Sequence, residues 1–280
     1  MSTLKFVKAH ACGNDFLVIE ETAPEWRLGS QHSKLARKLC ARNTGIGADG
    51  IEFLDRRADG SFFLRLFNAD GSEAELSGNG TRCVAAWLAQ SEGLERVTLG
   101  THGGVRTCRV ILKERETPWW IESGMGVPRV MKRAIEIAGV DGVIDGAMVN
   151  VGNPHYVIFV ETEDFSSNGM SWQELGAKIA IDPVFKFGTN VEFVRVRNEK
   201  EIEFRIYERG CGPTTSSGTG TCASSAAAIK LRGVARSLSA VAQGGTLGIE
   251  WSDDNAQMML TGPAEIICTG EAEVEFEELL

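Results

Sequence analysis

The sequence predicts an α/β protein of two similar lobes that are related by internal duplication. Residues 64–81 and 204–221 carry this prediction, because they align without a gap and the numbers of paired residues differ by 140 throughout. Ser77 falls on Ser217 in this alignment. Each stretch combines alternating apolar residues, which indicate a strand, with a Ser-Gly-x-Gly-Thr sequence that opens an alanine-rich segment.

Two further blocks occur in the same order in both halves. Asn14, in a glycine-asparagine turn, pairs with Asn153, and Gly50 pairs with Asn190 immediately before an apolar run. Three matched blocks favour two lobes, the first of residues 1–117 with a C-terminal strand in 269–280, the second of 118–268. In a duplicated chain of this kind we expect the active site in the cleft between the lobes.

The alanine-rich segments, residues 83–90 and 222–231, are predicted to be buried helices. Small residues at a helix start let a ligand approach the backbone, and the free N–H groups favour an anion there. We therefore expect a substrate carboxylate to contact the N–H groups of Gly78, Asn79, Gly218 and Thr219. Residues 28–43 and 172–179 are predicted to be further helices.

The composition excludes several classes of function. The 280 residues suffice for two domains with cores of their own, and 43% hydrophobic with 24% charged residues is typical of a globular protein. A net charge of −9 leaves no basic surplus for nucleic acid, and no apolar run approaches the roughly 20 residues of a membrane span. We expect no nucleic-acid partner and no membrane insertion; a homodimer is the assembly to test.

The cysteine and histidine content of the sequence predicts neither a disulfide framework nor a metal site. Seven cysteines without regular spacing, together with a first segment unlike a secretion signal, predict a cytoplasmic protein without a disulfide framework. Four histidines and the lack of Cys-x-x-Cys or His-Glu-x-x-His patterns give no support to a metal site.

A duplicated site suits one reaction in particular. Inverting a carbon next to a carboxylate requires removal of a proton from one face and return of a proton to the other. Two acid/base groups at equivalent positions can do this without a metal or another cofactor. We therefore expect a small amino acid as the substrate.

The sequence resembles the diaminopimelate epimerase family. The resemblance is carried by Asn68-Ala-Asp-Gly-Ser-Glu, Gly78-Asn-Gly-Thr-Arg-Cys83, Gly152-Asn-Pro-His155, Thr189-Asn-Val-Glu-Phe193, Tyr207-Glu-Arg-Gly210 and Ser217-Gly-Thr-Gly220. It implies two lobes, each a mixed sheet or partial barrel around a central helix. It also implies cofactor-independent conversion of LL- to meso-diaminopimelate, a precursor of lysine and peptidoglycan.

The resemblance further implies which residues contact the substrate: Asn14, Asn68, Asn153, Asn190, Glu208 and Arg209. Arg209 is suited to a distal carboxylate, and Glu208 to an ammonium group.

This sequence differs from the family at the positions that the family uses for catalysis. Ser77 and Ser217 stand where the family has its two catalytic cysteines, and Pro213 stands where the family commonly has glutamate. An aliphatic alcohol is far less acidic than a thiol, which titrates near ~8.5. The unaltered sequence is therefore expected to be a poor diaminopimelate epimerase.

Three hypotheses remain open. The chain is an epimerase with its catalytic cysteines exchanged, or a relative that performs another isomerisation or an elimination, or a non-catalytic amino-acid-binding protein. Glu208, Glu73 and His155 are the secondary acid/base candidates for the second hypothesis, although His155 alone also fits a structural histidine.

Overall fold

The computed structural model describes residues 2–21, 29–112 and 118–274. Within these ranges the helices are α1 (Gly29–Cys40), α2 (Gly78–Glu92), α3 (Trp172–Ala180) and α4 (Gly218–Arg232). The strands up to residue 124 are β1 (Ser2–Ala11), β2 (Asn14–Glu20), β3 (Gly50–Arg56), β4 (Phe62–Asn68), β5 (Glu73–Ala74), β6 (Arg96–Thr101), β7 (Gly104–Leu112) and β8 (Trp119–Gly124). The later strands are β9 (Arg129–Lys132), β10 (Ala147–Asn150), β11 (Pro154–Phe159), β12 (Asn190–Asn198), β13 (Glu201–Glu208), β14 (Gly212–Thr214), β15 (Ser237–Ala242), β16 (Gly245–Glu250) and β17 (Met259–Val274).

The chain forms two compact units, Met1–Ser123 with Gly262–Leu280, and Gly124–Thr261. The sequence placed the boundaries after residues 117 and 268. The first boundary lies later because β8 pairs with β7, and the second lies earlier because β17 pairs with β1 from residue 265 onward. Residues 113–117 precede the first predicted boundary, and residues 275–280 belong to the predicted C-terminal strand segment. Both ranges lie outside the described residues.

The first unit is an eight-stranded closed barrel. Its strands pair in the order β1, β2, β3, β4, β6, β7, β8 and β17, and β17 pairs with β1 to close the ring. Helix α2 packs against β1, β2, β6 and β7. Val84 and Leu88 of α2 are fully buried, and such side chains contribute about 1.5–3 kcal/mol each. The predicted mixed sheet around a central helix is confirmed, with a complete barrel in place of a partial one.

The two faces of β3 contact different helices. Ile51 and Phe53 pack in the core cluster that contains α1, whereas Leu54 packs in the cluster that contains α2. Successive side chains of a strand point to opposite faces. Glu52, between Ile51 and Phe53, therefore lies on the face directed toward α2.

The second unit repeats this arrangement. Its strands pair in the order β9, β10, β11, β12, β13, β15, β16 and β17, and α4 packs against β9 to β13, β15 and β16. Val191 and Phe193 of β12 pack in the cluster that contains α3. Glu192, between them, lies on the α4 face, as Glu52 lies on the α2 face in the first unit.

The ends of the central helices show why they begin where they do. Both helices begin ahead of the alanine-rich segments, at Gly78 and Gly218, because serine side chains cap them despite the low helix propensity of glycine. Both end at a left-handed glycine, Gly93 with φ 73° and Gly233 with φ 70°. Among the residues that the structure describes, no helix is both long enough and apolar enough to cross a membrane.

Candidate active site

Ser77 and Ser217 occupy the same structural position in the two units. Each is the N-cap of a central helix, with extended backbone. The hydroxyl oxygen of Ser77 accepts a hydrogen bond from the N–H of Gly80 (3.0 Å), and that of Ser217 accepts one from Gly220 (3.2 Å). Helix geometry leaves the N–H groups immediately after each serine without an acceptor inside the helix. The two serines thus lie on equivalent elements, as the repeat predicts.

In the first unit, Asn14 lies at the start of α2. Asn79 Nδ2 donates a hydrogen bond to Asn14 Oδ1 (3.0 Å), and Asn14 Nδ2 donates to Asp49 Oδ2 (2.7 Å). The fully buried Arg82 donates to Asn79 Oδ1 (2.6 Å) and to the carbonyl oxygen of Gly78 (3.1 Å). This chain of bonds fixes the orientation of both amides and places a cation behind the first turn of the helix.

In the second unit, Asn153 takes the corresponding place at the start of α4. Its Nδ2 lies 3.5 Å from Thr219 Oγ1, which is a long hydrogen bond. His155 contacts Asn153 Oδ1 through Nε2 (2.9 Å) and Glu192 Oε1 through Nδ1 (2.6 Å). Both ring nitrogens of His155 are therefore engaged, which makes this residue a support for Asn153.

Glu192 is a fully buried carboxyl beside that histidine. Burial raises the pKa of Glu192, and the positive charge and hydrogen bond of His155 offset this rise only in part. Glu192 belongs to the third repeat block, because its position in β12 corresponds to that of Glu52 in β3.

Glu208 lies next to Ser217 in the second unit. Thr214 Oγ1 donates to Glu208 Oε1 (2.5 Å), and the side chain of Ser217 also forms a hydrogen bond with this carboxyl. Burial raises the pKa of Glu208, while the bond from Thr214, the charge of His155 and the bond with Ser217 act in the opposite direction. A serine hydroxyl with a carboxyl beside it is a nucleophile–base arrangement that the sequence did not reveal.

The other residues that are expected to contact the substrate differ in burial and in their hydrogen bonds. Asn190 is buried, and its Oδ1 accepts a hydrogen bond from the backbone N–H of Arg209 (2.9 Å). The exposed guanidinium group of Arg209 donates from Nη1 to the carbonyl oxygen of Phe187 (2.6 Å). Asn68 Nδ2 donates to Ser72 Oγ (3.0 Å). The structure thus gives Asn190 a loop-shaping role, while Arg209 retains exposed donors.

Glu73, a secondary acid/base candidate, lies at the surface beside His102. Its Oε1 lies 3.2 Å from Nε2 of His102, and both side chains are about half exposed, at 48% and 50%. The pocket beside Ser77 contains other carboxyls, from Glu52 and Glu75.

None of the cysteines is in a disulfide bond. Cys83 and Cys222 are fully buried in the central helices, as the sequence predicted, and burial raises the pKa of Cys83 far above its ordinary value. Neither thiol has the exposure of a reactive cysteine. Within the ranges that the structure covers, no group of three or more histidine, cysteine or acidic side chains is placed to hold a metal ion.

Glu52 is a residue that the sequence-based analysis missed. It is 1% exposed, lines a pocket with Ser77 and Thr81, and its Oε1 has no hydrogen-bond partner among the described residues. Burial raises the pKa of Glu52 to about 8. Its signal in the sequence is a glutamate inside the apolar run from Ile51 to Leu54, a pattern that fits either a buried or an exposed carboxyl.

The sequence matches a known family over most of its length. The model of the diaminopimelate epimerase family matches residues 6–131 and 147–267. A diaminopimelate epimerase from Trichodesmium erythraeum is 34% identical over 283 residues, covering 96% of this chain and 99% of that protein. Diaminopimelate epimerase 1 from a Nostoc species is 36% identical over 285 residues, covering 95% and 99%.

Solved structures with the same fold are more distant in sequence. A phenazine biosynthesis protein of the PhzF family from Bacillus anthracis superposes with a TM-score of 0.74 at 15% identity, covering 98% of this chain and all of that one. A probable proline racemase from Agrobacterium radiobacter gives 0.72 at 17% identity, covering 97% and 93%. The capped central helices, the repeated asparagines and these full-length matches lead to one conclusion: the chain belongs to the diaminopimelate epimerase family.

Proposed function

We propose that this protein is an isomerase that inverts the α-carbon of an amino acid, with diaminopimelate as substrate and no cofactor. The observation that carries the proposal is the pair of equivalent serine N-caps, Ser77 and Ser217, at the starts of two buried helices. One half-site removes the α-proton and the other returns a proton to the opposite face. The reaction places the protein in the formation of meso-diaminopimelate, on the route to lysine.

The helix starts provide electrostatic stabilisation in this proposal. Loss of the α-proton spreads negative charge onto the neighbouring carboxylate. The N–H groups of Gly78, Asn79, Gly218 and Thr219, at the positive ends of α2 and α4, are suited to that charge. Donors of this type typically contribute about 3–4 kcal/mol each to transition-state stabilisation.

The polar side chains around the helix starts select the amino acid. Asn14, Asn68, Asn153 and Asn190 provide hydrogen bonds, and Glu208 provides a negative charge for the ammonium group. The exposed guanidinium group of Arg209 is suited to a distal carboxylate, because arginine binds carboxylates with two parallel hydrogen bonds.

Serine in place of cysteine makes the unaltered protein a slow epimerase. The conversion of about 1.4 kcal/mol for each pKa unit means that exchanging a thiol for an alcohol removes several powers of ten in rate. The carboxyl of Glu208 beside Ser217 moderates this loss on one side, since it can accept the serine proton. The contact between Glu208 and Ser217 also favours a second candidate function, an isomerisation that needs only one base.

The test is uptake of solvent deuterium at the α-carbon of diaminopimelate, followed by mass spectrometry, with inversion followed by chiral chromatography. We expect slow exchange by the unaltered protein and a large increase in the Ser77→Cys, Ser217→Cys double variant. Either single variant should give at most exchange without inversion. Ser171→Cys is the matched control, since Ser171 is the N-cap of α3 and should leave both rates unchanged.

Two outcomes contradict the proposal. Efficient inversion by the unaltered protein would show that thiols are not needed, and would point to carboxyl chemistry. Absence of exchange in the double variant would favour a different substrate or an amino-acid-binding role.

We also propose a cytoplasmic location. None of the seven cysteines is in a disulfide bond, and Cys211 and Cys268 are exposed, which is typical of proteins in a reducing environment. Fractionation of cells that express the tagged protein tests this location.

A further inference from the structure

Arg82 is a fully buried cation that is bonded to the first turn of α2. Its guanidinium group donates from Nη2 to Asn79 Oδ1 at 2.6 Å and from Nη1 to the carbonyl oxygen of Gly78 at 3.1 Å. A guanidinium group has N–H donors and no acceptor. The side-chain oxygen of Asn79 therefore faces Arg82, and its side-chain nitrogen is directed to another partner.

That partner is Asn14, which is bonded in turn to a carboxylate. Asn79 Nδ2 donates to Asn14 Oδ1 at 3.0 Å, and Asn14 Nδ2 donates to Asp49 Oδ2 at 2.7 Å. A carboxylate only accepts hydrogen bonds, and Arg42 pairs with Asp49 through Oδ1 at 2.6 Å. Because one end of this series of bonds only donates and the other only accepts, each amide has a single orientation that satisfies both neighbours.

This orientation decides what Asn14 offers to a ligand. Its Oδ1 accepts the bond from Asn79, and one N–H of its Nδ2 is used by Asp49. Among the residues that the structure describes, none accepts the second N–H of Asn14. The side chain of Asn14 is partly exposed, whereas that of Asn79 is buried. Asn14 therefore presents an N–H donor, which suits a carboxylate oxygen.

The second unit also engages the amide oxygen of its asparagine, but with a different residue. Asn153 Oδ1 lies 2.9 Å from Nε2 of the buried His155, and Asn153 Nδ2 faces Thr219 Oγ1. Cys222, at the position that corresponds to Arg82, is not a cation. Both units thus use the amide oxygen internally and leave an amide N–H for a ligand, although the residues that hold the two amides differ.

We infer that Arg82 is a positioning residue for substrate binding, which acts through Asn79 to hold Asn14 with an N–H available for a carboxylate of the substrate. This inference rests on the proposed function, because diaminopimelate supplies the carboxylate. Arg82 has no exposure to solvent, so it affects the substrate through these side chains, and Asn14 makes the contact.

A double-mutant cycle tests this role by calorimetry with diaminopimelate. Asn14→Ala should weaken binding about 10- to 100-fold, the loss of one hydrogen bond to a charged group. Arg82→Met should cause a comparable loss, because the amides of Asn79 and Asn14 are then free to rotate. Arg82→Lys should retain most of the affinity, since lysine still supplies a donor to Asn79. In the Asn14→Ala background, Arg82→Met should cause no further loss.

Arg106→Met is the matched control for these variants. Arg106 is also a buried arginine of the first unit, but its guanidinium group donates to the carbonyl oxygen of Val105. This variant should leave the affinity unchanged even where it lowers the melting temperature. Additive losses for Asn14→Ala and Arg82→Met overturn the inference, and so does an unchanged affinity in Arg82→Met.

A second measurement depends on neither turnover nor affinity. The NMR signals of the Asn14 side-chain amide, identified by their loss in Asn14→Ala, should shift in Arg82→Met. They should also shift in Asn79→Asp, where aspartate still accepts from Arg82 but cannot donate to Asn14, so this variant serves if Arg82→Met does not fold. Signals that ignore the broken series of bonds overturn the inference. If diaminopimelate neither binds nor reacts, the proposed function fails, and these signals still decide whether Arg82 fixes Asn14.

Discussion

Nδ1 of His155 and Oε1 of Glu192 lie 2.6 Å apart, and neither side chain has any exposure to solvent. The two residues come from neighbouring parallel strands, β11 and β12, and the other ring nitrogen of His155 holds Asn153. A buried pair of this kind orients the residues that it touches, whether or not it adds net stability. The pair of His155 and Glu192 thereby connects strands β11 and β12 to Asn153 at the start of α4.

Removal of one partner from this pair should be costly. His155→Ala should lower the free energy of unfolding by about 3–5 kcal/mol, because Glu192 then stays buried without a partner. Urea denaturation measures the loss. In the double variant His155→Ala, Glu192→Leu the loss should be smaller than the sum of the single losses. Additive losses would mean that the two side chains do not interact.

Glu52 should make stability depend on pH. Its pKa is raised to about 8 from an ordinary 4.5, so the folded state holds a proton that the unfolded state releases. Its contribution to stability is therefore complete below the unfolded value and declines as the pH rises from 4.5 to about 8. Relative to the unaltered protein, Glu52→Gln should gain a few kcal/mol of unfolding free energy across this window.

Thermal or urea unfolding at several pH values measures that difference. Glu75→Gln, which changes another carboxyl of the pocket beside Ser77, serves as the control, and its stability difference should stay flat. A Glu52→Gln difference that is the same at both ends of the window would show that Glu52 ionises normally.

Gly80→Ala should destabilise the protein, although alanine usually stabilises a helix by about 1 kcal/mol relative to glycine. The new Cβ would lie 1.9 Å from Oε1 and 2.8 Å from Cδ of the buried Glu52. We expect a loss of about 1–3 kcal/mol, the usual cost of overpacking. In a Glu52→Ala background the same change should become neutral or stabilising. A loss that persists in that background would place the clash elsewhere.

Arg209→Ala should separate ligands by their distal carboxylate. Calorimetry should show at least several-fold weaker binding of diaminopimelate, because a charge-assisted hydrogen bond is lost. The affinity for lysine, which lacks that carboxylate, should change little and serves as the ligand control. Equal effects on both ligands would assign Arg209 to the loop that it holds through Phe187.

The repeat made the two halves of the site predictable. Ser77 and Ser217 were assigned to helix starts because the same Ser-Gly-x-Gly pattern precedes alanine-rich segments, and local capping follows from local sequence. The helix over 28–43 was similarly predictable from the spacing of Leu35 and Leu39, which are buried in the structure.

Contacts between distant parts of the chain were not predictable in the same way. Glu52 and Ser77 share a pocket only because β3 and α2 face each other, and a single glutamate in a strand fits either an exposed or a buried position. Likewise, the hydrogen bond from the backbone N–H of Arg209 to Oδ1 of Asn190 is set by loop geometry, which the sequence does not show. The closure of the barrel also depends on a pairing between the two ends of the chain.

That pairing decides the order in which the protein is completed during synthesis. Ser2 pairs with Val274, so β1 is synthesised long before the strand that covers its edge. The second unit, Gly124–Thr261, is continuous in sequence and has all its partners available earlier. The nascent first unit therefore carries an open strand edge for most of translation, the situation in which chaperones protect a chain from aggregation. Premature termination before residue 262 would leave this edge uncovered permanently while sparing the second unit.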